Sequence, residues 1–154
     1  AACYAHTCDK KFGMAYLPRG FFDALRTTLA PQTVVNLARG ADGQVIAMAL
    51  AFFSEGVLYG RHWGALEEHE HLHFELCYHR FIAWAIEHGI QRFESGAQGL
   101  HKLKRGFEPV LVRAAYAFAH PGLHASAARY FAGEAAALEA ERAALAEHTP
   151  YRFE

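Results

Sequence analysis

Residues 69–73 of the chain read His-Glu-His-Leu-His and match the H-E-x-x-H pattern of zinc proteases. Such a site needs both end histidines, here His69 and His73, on one helical face, with Glu70 beside the metal-bound water. Residues 64–68 are expected to remain a loop, which places His69 off the helical register. No downstream residue is marked as a third ligand. We therefore predict no metal site; a zinc site at His69 and His73 is the least favoured interpretation, and adventitious metal could bind His69, His71 and His73.

Two groups of carboxylates and imidazoles could instead move a proton. Glu75 and His79 are spaced one helical turn apart, and His73 lies just before them. This cluster either accepts a proton or is a helix N-terminal carboxylate, favoured by the helix dipole, with imidazoles packed alongside. Glu94 ends a short strand, where open α/β sheets place their ligands, and is the better carboxylate candidate. The alternative for Glu94 is a solvated strand end.

A glycine-punctuated basic loop follows Glu94. Its glycines let backbone amides approach a ligand closely, and the side chains of Lys102 and Arg105 suit a phosphate or a carboxylate. Gln98 and His101 belong to the same loop. The alternative interpretation is a solvated basic turn.

A third set of candidates alternates along the strand predicted at residues 57–63. Strand geometry is expected to place Tyr59, Arg61 and Trp63 on one face. An arginine between two aromatic side chains could line a substrate slot. It could equally be a surface arginine whose aliphatic stem covers the edge of the core.

The composition excludes several classes of protein. The chain has 154 residues, 53% of them hydrophobic, which suits one globular domain, and its net charge of −1 gives no electrostatic footprint for DNA or other polyanions. Three cysteines without metal or disulfide spacing favour a reducing compartment, and Cys77 is expected in the core. Without an apolar run long enough for a membrane span, or a signal peptide, we expect a cytoplasmic protein. Because the chain begins without methionine, we expect a piece of a longer protein.

The elements that position these residues follow from periodicity. Apolar residues at helical spacing predict a helix at 18–30. Three β-rich runs at 33–38, 45–53 and 57–63, separated by tight turns, predict an antiparallel meander. Gly60 inside the third strand predicts a bulge or a close backbone approach.

The second half of the pattern adds a parallel strand. A helix at 72–88 ending before Gly89, followed by a strand at 91–94, forms a right-handed crossover. A strand is predicted at 109–119, and an alanine-rich helix from 121 to about 148, which packs on the sheet or mediates a homodimer. The predicted fold is an α/β domain with a mixed sheet flanked by helices.

Four segments carry a resemblance to a known family: residues 58–64 (LYGRHWG), 72–78 (LHFELCY), 92–102 (RFESGAQGLHK) and 105–109 (RGFEP). Together they resemble a bacterial family of predicted N-acyltransferases of peptidoglycan biosynthesis or recognition, related to the Fem-type aminoacyl transferases. The resemblance runs from Tyr4 to the C-terminus. It corresponds to the C-terminal half of family members, so a contact with a missing N-terminal half is expected.

The resemblance implies a GNAT-like fold, in which a bulge and diverging strands open a slot for the acyl donor. It implies transfer of an acyl or aminoacyl group to an amine of a substrate such as a peptidoglycan precursor, with acyl-CoA or aminoacyl-tRNA as donor and no tightly bound cofactor. The competing interpretation is a non-catalytic domain that binds a cell-wall precursor or partner chain. The resemblance gives Lys102 a role in binding and charge stabilisation. The expected catalytic residues are Glu75, Glu94, His101 and Lys102, and the expected substrate-binding residues are Tyr59, Arg61, Trp63, His73, Gln98 and Arg105.

The sequence departs from the family pattern in three places. Leu100 stands where the family commonly has an acidic residue, and His79 where it has an aromatic one. The glycine-rich pyrophosphate loop usual in GNAT enzymes is absent ahead of the crossover helix, which disfavours acetyl-CoA as donor. We expect the turn that bears Gln98 and Lys102 to face Arg61 across a gap between two diverging strands.

Overall fold

The computed structural model of the chain falls into two compact units. The first ends at Gly96, and the described part of the second begins at Gly99. The structure describes residues 1–10, 13–96, 99–148 and 150–151.

A four-stranded mixed sheet forms the centre of the first unit. The strands lie in the spatial order β1-β2-β3-β4; the first three pair antiparallel, and β4 pairs parallel to β3. This arrangement confirms the predicted α/β fold with its meander and crossover. The strands are β1 (Thr33–Arg39), β2 (Val45–Ser54), β3 (Val57–Ala65) and β4 (Arg92–Glu94).

Strand β2 is buried on both of its faces. Its odd-numbered residues, such as Ala47 and Ala49, belong to one apolar cluster, and its even-numbered residues Met48 and Leu50 belong to another. Such double burial explains why β2 reads as a continuous apolar run. The two clusters define two faces of the sheet, each covered by helices.

The crossover helix covers the first face. It comprises α3 (Leu72–Phe74), a π-helical segment (Glu75–His79) and α4 (Arg80–Glu87), which together confirm the helix predicted at 72–88. Phe81 packs against Leu58 of β3, and both side chains are essentially fully buried. Each such side chain contributes about 1.5–3 kcal/mol through removal of apolar surface from water.

The π-helical segment is tied to the sheet by one side chain. The amide of Asn36 in β1 donates a hydrogen bond to the carbonyl oxygen of Leu76 at 2.9 Å. Cys77 of the same segment packs against the apolar cluster that contains Leu58 and Phe81, as predicted for a core cysteine. Burial raises the pKa of its thiol to about 12.

Two helices cover the other face. They are α1 (Ala2–Lys10) and α2 (Arg19–Thr28), and their buried residues Tyr4 and Leu25 pack with Met48 and Leu50. Helix α2 confirms the helix predicted at 18–30. Helix α1 was not predicted.

The second unit contains a 3₁₀ helix (Leu100–Arg105) and the long helix α5 (Pro121–Ala146), which confirms the helix predicted from residue 121. The strand predicted at 109–119 is wrong, since these residues form no strand. Val110 and Val112 are 68% and 86% exposed. A β-rich run becomes a strand only when a neighbour pairs with its backbone, and no described strand does so here. Within the described residues we find no helix both long and apolar enough to cross a membrane.

Candidate functional site at the diverging edge of strand β3

A β-bulge interrupts β3 next to the glycine that predicted it. Gly60 lies opposite Ala51 of β2 and His62 opposite Leu50, so Arg61 is the extra residue without a partner. A bulge bends its strand and re-aims the side chains around it. The prediction of a bulge near Gly60 is therefore confirmed.

Strand β4 leaves β3 at the same point. Only three residues of β3, 57–59, pair with β4, and the last pair is Tyr59 with Glu94. A Cβ on Gly60 would lie 3.4 Å from the carbonyl oxygen of Glu94, so the glycine permits the close approach of the β4 backbone. Beyond Tyr59, residues 60–65 of β3 have no described strand on their outer side.

Helix α1 closes the far end of this unpaired stretch. The backbone N–H of Ala65 donates to the hydroxyl oxygen of Thr7 at 3.2 Å, and a side chain on Gly64 would overlap the backbone carbonyl of Cys3. Residues 61–63 remain between this closure and the end of β4. We refer to residues 61–63 as the open edge.

The bulge also reverses the alternation of side chains along β3. Residues directly opposite each other in a ladder share a face, and Tyr59 lies opposite Phe52 whereas Trp63 lies opposite Ala49, on the other face. The prediction that Tyr59, Arg61 and Trp63 share one face is therefore wrong. The extra residue shifts the register by one, which moves every later side chain to the opposite face.

His62, rather than Trp63, shares a face with Tyr59. Its ring lies edge-on to the ring of Tyr4, with centroids 5.2 Å apart, and 6.2 Å from that of Tyr16. His62 is half-buried. Burial, followed by the positive charge of Arg61, lowers the pKa of the imidazole below its ordinary value.

Glu94 faces the same side as Tyr59 and His62. Its carboxylate forms an ion pair with Arg92 at 2.9 Å, whereas Phe93 between them packs against Phe81 on the opposite face. A carboxylate here can hold an ammonium group, and Arg61 can bind a carboxylate or phosphate. Tyr59 and Arg61 have no side-chain hydrogen bond or ion pair to any described residue, so both are available to a ligand.

The predicted substrate-binding residues Trp63 and His73 meet on the opposite face. Their ring centroids are 5.2 Å apart in an edge-on arrangement, and His73 also contacts the buried Tyr78 at 5.6 Å. These two residues therefore form an aromatic cluster at the start of the crossover helix, on the other side of the sheet from Tyr59.

Glu75 and His79 form the contact that their spacing predicted. The His79 Nδ1 lies 3.3 Å from one carboxylate oxygen of Glu75, and the Nε of Arg80 donates to the other at 2.8 Å. Glu75 lines a surface depression of about 470 Å³ that contains no residue of the open edge. The depression is lined by Ala38, Arg39, Gly40, Ala41, Ile46, His69, Glu70, His71, Leu72 and Glu75.

The first histidine of the H-E-x-x-H match, His69, lies outside the crossover helix. The crossover helix begins at Leu72, and His71 has a left-handed backbone with φ of 62°. His69 Nε2 contacts Glu67 at 3.0 Å. Among the residues that the structure describes, no three His, Cys, Asp or Glu side chains converge as a metal site requires.

The second unit holds the other predicted site residues. His101, Lys102 and Arg105 lie on its 3₁₀ helix, where Lys102 and Arg105 are one turn apart and the Nη1 of Arg105 donates to the carbonyl of His101 at 2.7 Å. Burial lowers the pKa of Lys102. Gln98 lies outside the described residues, and the predicted approach of Lys102 to Arg61 stays a prediction.

Sequence reasoning missed His62 and its neighbour Tyr4. The signal for His62 was present, because a bulge near Gly60 already implied that the alternation would reverse after it. Tyr4 lies on α1, a nine-residue helix without acidic residues in its first turn, whose pattern carries little sign of a helix.

Comparison with models of known protein families identifies one family. The model of the FemAB-like family, described as peptidoglycan biosynthesis/recognition, matches residues 1–153. No curated protein and no solved structure matches the chain significantly.

Proposed function

The chain belongs to the FemAB-like family, and from this premise we propose that it transfers an acyl or aminoacyl group to an amine of a peptidoglycan precursor. The family assignment supports a part in peptidoglycan biosynthesis or recognition. The transfer reaction is our proposal.

The observation that carries the proposal is the open edge itself. When a strand loses its neighbour part-way along its length, the backbone N–H and C=O groups beyond that point can bind a ligand. At the open edge this loss coincides with a bulge, an arginine available to a ligand, a half-buried imidazole and a carboxylate. Amide donors, a cation and a proton acceptor are the groups that acyl transfer to an amine requires.

Each group has a role in the proposed reaction. The carboxylate of Glu94 holds the ammonium group of the acceptor, and Arg61 binds a carboxylate or phosphate of the precursor. Backbone amides of the open edge stabilise the oxyanion that develops on the donor carbonyl. The Fem-type resemblance separately implies a role for Lys102 of the second unit in binding and charge stabilisation, and burial lowers the pKa of its ammonium group.

The charges before the crossover helix favour an aminoacyl ester over a CoA thioester as donor. Helix N-termini commonly bind phosphates because their N–H groups and dipole attract anions. Here Glu67, Glu68 and Glu70 precede the helix that begins at Leu72. These carboxylates, of which Glu68 is ion-paired with Lys10, disfavour a CoA diphosphate at this helix terminus. Of the two donors that the resemblance implies, we propose aminoacyl-tRNA, bound through its aminoacyl ester end, because the net charge of −1 gives no electrostatic footprint for the body of a tRNA.

A binding domain without catalysis is the second candidate. Leu100 occupies the position where the family commonly has an acidic residue, and its side chain is 69% exposed. If that acid is needed for turnover in relatives, this chain would keep only recognition of the precursor.

Mass spectrometry of a transfer reaction tests the proposal. The chain is incubated with aminoacyl-tRNA and a muropeptide that carries a free amine, and the aminoacylated product is quantified. Glu94→Gln, which removes the charge that holds the acceptor ammonium group and keeps the shape, is expected to lower kcat/KM about 100-fold. Glu87→Gln on α4, an exposed glutamate outside the site, is the matched control and should retain full activity.

Thermal stability measured with the same muropeptide separates the two candidates. Ligand binding to the folded state raises the melting temperature whether or not transfer occurs. Stabilisation without product, weakened by Glu94→Gln, would establish the binding domain. Neither product nor stabilisation would contradict both.

A further inference from the structure

We infer that His62 is the base that accepts the proton of the acceptor amine. The inference rests on the proposed transfer function and adds a catalytic residue to it. The argument uses the position of the ring, its contacts and the charges around it.

The position of His62 follows from the bulge. His62 is the first residue after Arg61, and the reversed alternation turns its side chain to the face of Tyr59. Glu94, opposite Tyr59 on β4, lies on that face as well. The imidazole therefore lies on the same face of the sheet as the carboxylate that would hold the acceptor amine.

Two tyrosine rings determine the orientation of the imidazole. Tyr4 is buried, and its hydroxyl oxygen accepts a hydrogen bond from the backbone N–H of Leu17 at 3.3 Å. The His62 ring packs edge-on against Tyr4, while Tyr16, which is 70% exposed, forms the outer wall. Neither ring nitrogen of His62 is hydrogen-bonded to a described residue, so both remain available to a substrate.

The surroundings keep the ring neutral at physiological pH. Arg61 on its own strand, Tyr4 of α1 and Tyr16 of the segment after α1 surround the ring. Glu94 of β4, ion-paired with Arg92, lies on the same face of the sheet. The opposite residue of β2, Leu50, is apolar. Burial and Arg61 both lower the pKa of His62, so a basic nitrogen is present at pH 7.

The reaction balances with one proton transfer through this ring. The ammonium group of the acceptor first releases one proton to solvent, and its neutral nitrogen then attacks the carbonyl carbon of the aminoacyl ester. A C–N bond forms, and the second proton lost from nitrogen moves to His62. The C–O bond to the tRNA ribose then breaks, and His62 returns the proton to the leaving oxygen. The products are an amide and deacylated tRNA.

The pH dependence of kcat/KM tests this role with variants of the same chain. The unaltered protein should show an acidic limb in which activity falls as the imidazole is protonated. His62→Phe, which keeps an aromatic ring against Tyr4, should lose about 100-fold in kcat at pH 7 and also lose this limb. In His62→Ala, added imidazole should restore part of the turnover.

Two controls separate a catalytic role from a structural one. His124→Phe, at an exposed position of α5, should leave rate and pH profile unchanged. The melting temperature of each variant shows whether it is folded. A folded His62→Phe variant with normal turnover and an unchanged acidic limb would overturn the role of His62 while leaving the transferase intact. Absence of transfer by the unaltered chain would overturn both.

Discussion

The two halves of β3 differ in what lies beside them. Residues 57–59 have β2 on one side and β4 on the other, and Leu58 at their centre is fully buried. Residues 60–65 keep β2, but none of the described strands continues the ladder on their outer side. One strand thus serves as core at its start and as the candidate site at its end.

The difference teaches how a single inserted residue can create a candidate site. A continuous ladder would satisfy the backbone and bury alternate side chains, leaving little for a ligand to contact. The bulge at Arg61 and the departure of β4 after Glu94 instead set available amides beside a cation, an imidazole and a carboxylate. Stability and function should therefore respond separately to changes in the two halves.

The largest effect on stability is expected in the paired half. Leu58→Ala removes a fully buried side chain and should lower the free energy of unfolding by about 2–5 kcal/mol, as measured by urea denaturation. Turnover per folded molecule should not change, because Leu58 does not reach the open edge. A loss of activity per folded molecule in this variant would contradict the claim that stability and function respond separately to changes in the two halves of β3.

A smaller loss of stability is expected at the closed end of the unpaired half. In Gly64→Ala the added Cβ would meet the backbone carbonyl of Cys3, which has no room to move without shifting α1. We expect a loss of about 1–3 kcal/mol in the free energy of unfolding. Gly20→Ala, at an open position of α2, is the matched control and should not destabilise the protein. Equal stability of the two variants would contradict the contact between α1 and β3.

Loss of the arginine at the bulge should affect binding more than stability. Arg61→Ala is expected to raise KM for the muropeptide about tenfold, since a charge-assisted hydrogen bond contributes about 1.5–3 kcal/mol. Arg39→Ala provides the comparison, because Arg39 lines the depression near Glu75. If steady-state kinetics showed a larger increase in KM for Arg39→Ala than for Arg61→Ala, the ligand would bind at the depression rather than at β3.

The smallest effect is a pH dependence of stability. The pKa of His62 is lowered in the folded chain by burial and by Arg61, whereas the unfolded chain binds this proton near pH 6.5. As pH falls below about 6.5, the unfolded state gains a proton that the folded state does not, so the free energy of unfolding decreases. The free energy of unfolding continues to decrease until the pH reaches the lower pKa of the folded state, below which both states bind the proton. Thermal melts between pH 7.5 and about 5 should show a weaker decrease in His62→Phe than in the unaltered chain; identical curves would refute the shift.

Most of the first unit was predictable because its segments bury one face or both. The β2 run, the periodic crossover helix and the short strand at Glu94 each carry a strong local pattern, and the mixed sheet follows from their order. The strand predicted at 109–119 shows the limit of that reasoning. Its composition is typical of a strand, but pairing depends on a neighbour that composition does not reveal.

The site was harder to predict than the fold for a related reason. Gly60 indicated a bulge, yet which residue becomes the extra one depends on the register with β2, and a shift of one residue exchanges Trp63 for His62. Tyr4 was missed because α1 is stabilised by tertiary contacts to β2 and β3 rather than by its own sequence pattern. The arrangement of side chains at the open edge therefore depends on contacts that are distant in the sequence.

Hydrogen–deuterium exchange with and without the muropeptide tests the central claim most directly. In the free protein, amides of residues 60–65 should exchange faster than those of 57–59, because their outer side has no ladder, and the ligand should slow exchange at 61–63. Unchanged exchange at 61–63, with ligand-induced protection at residues 38–41 and 69–72 instead, would contradict the assignment of the open edge as the ligand site.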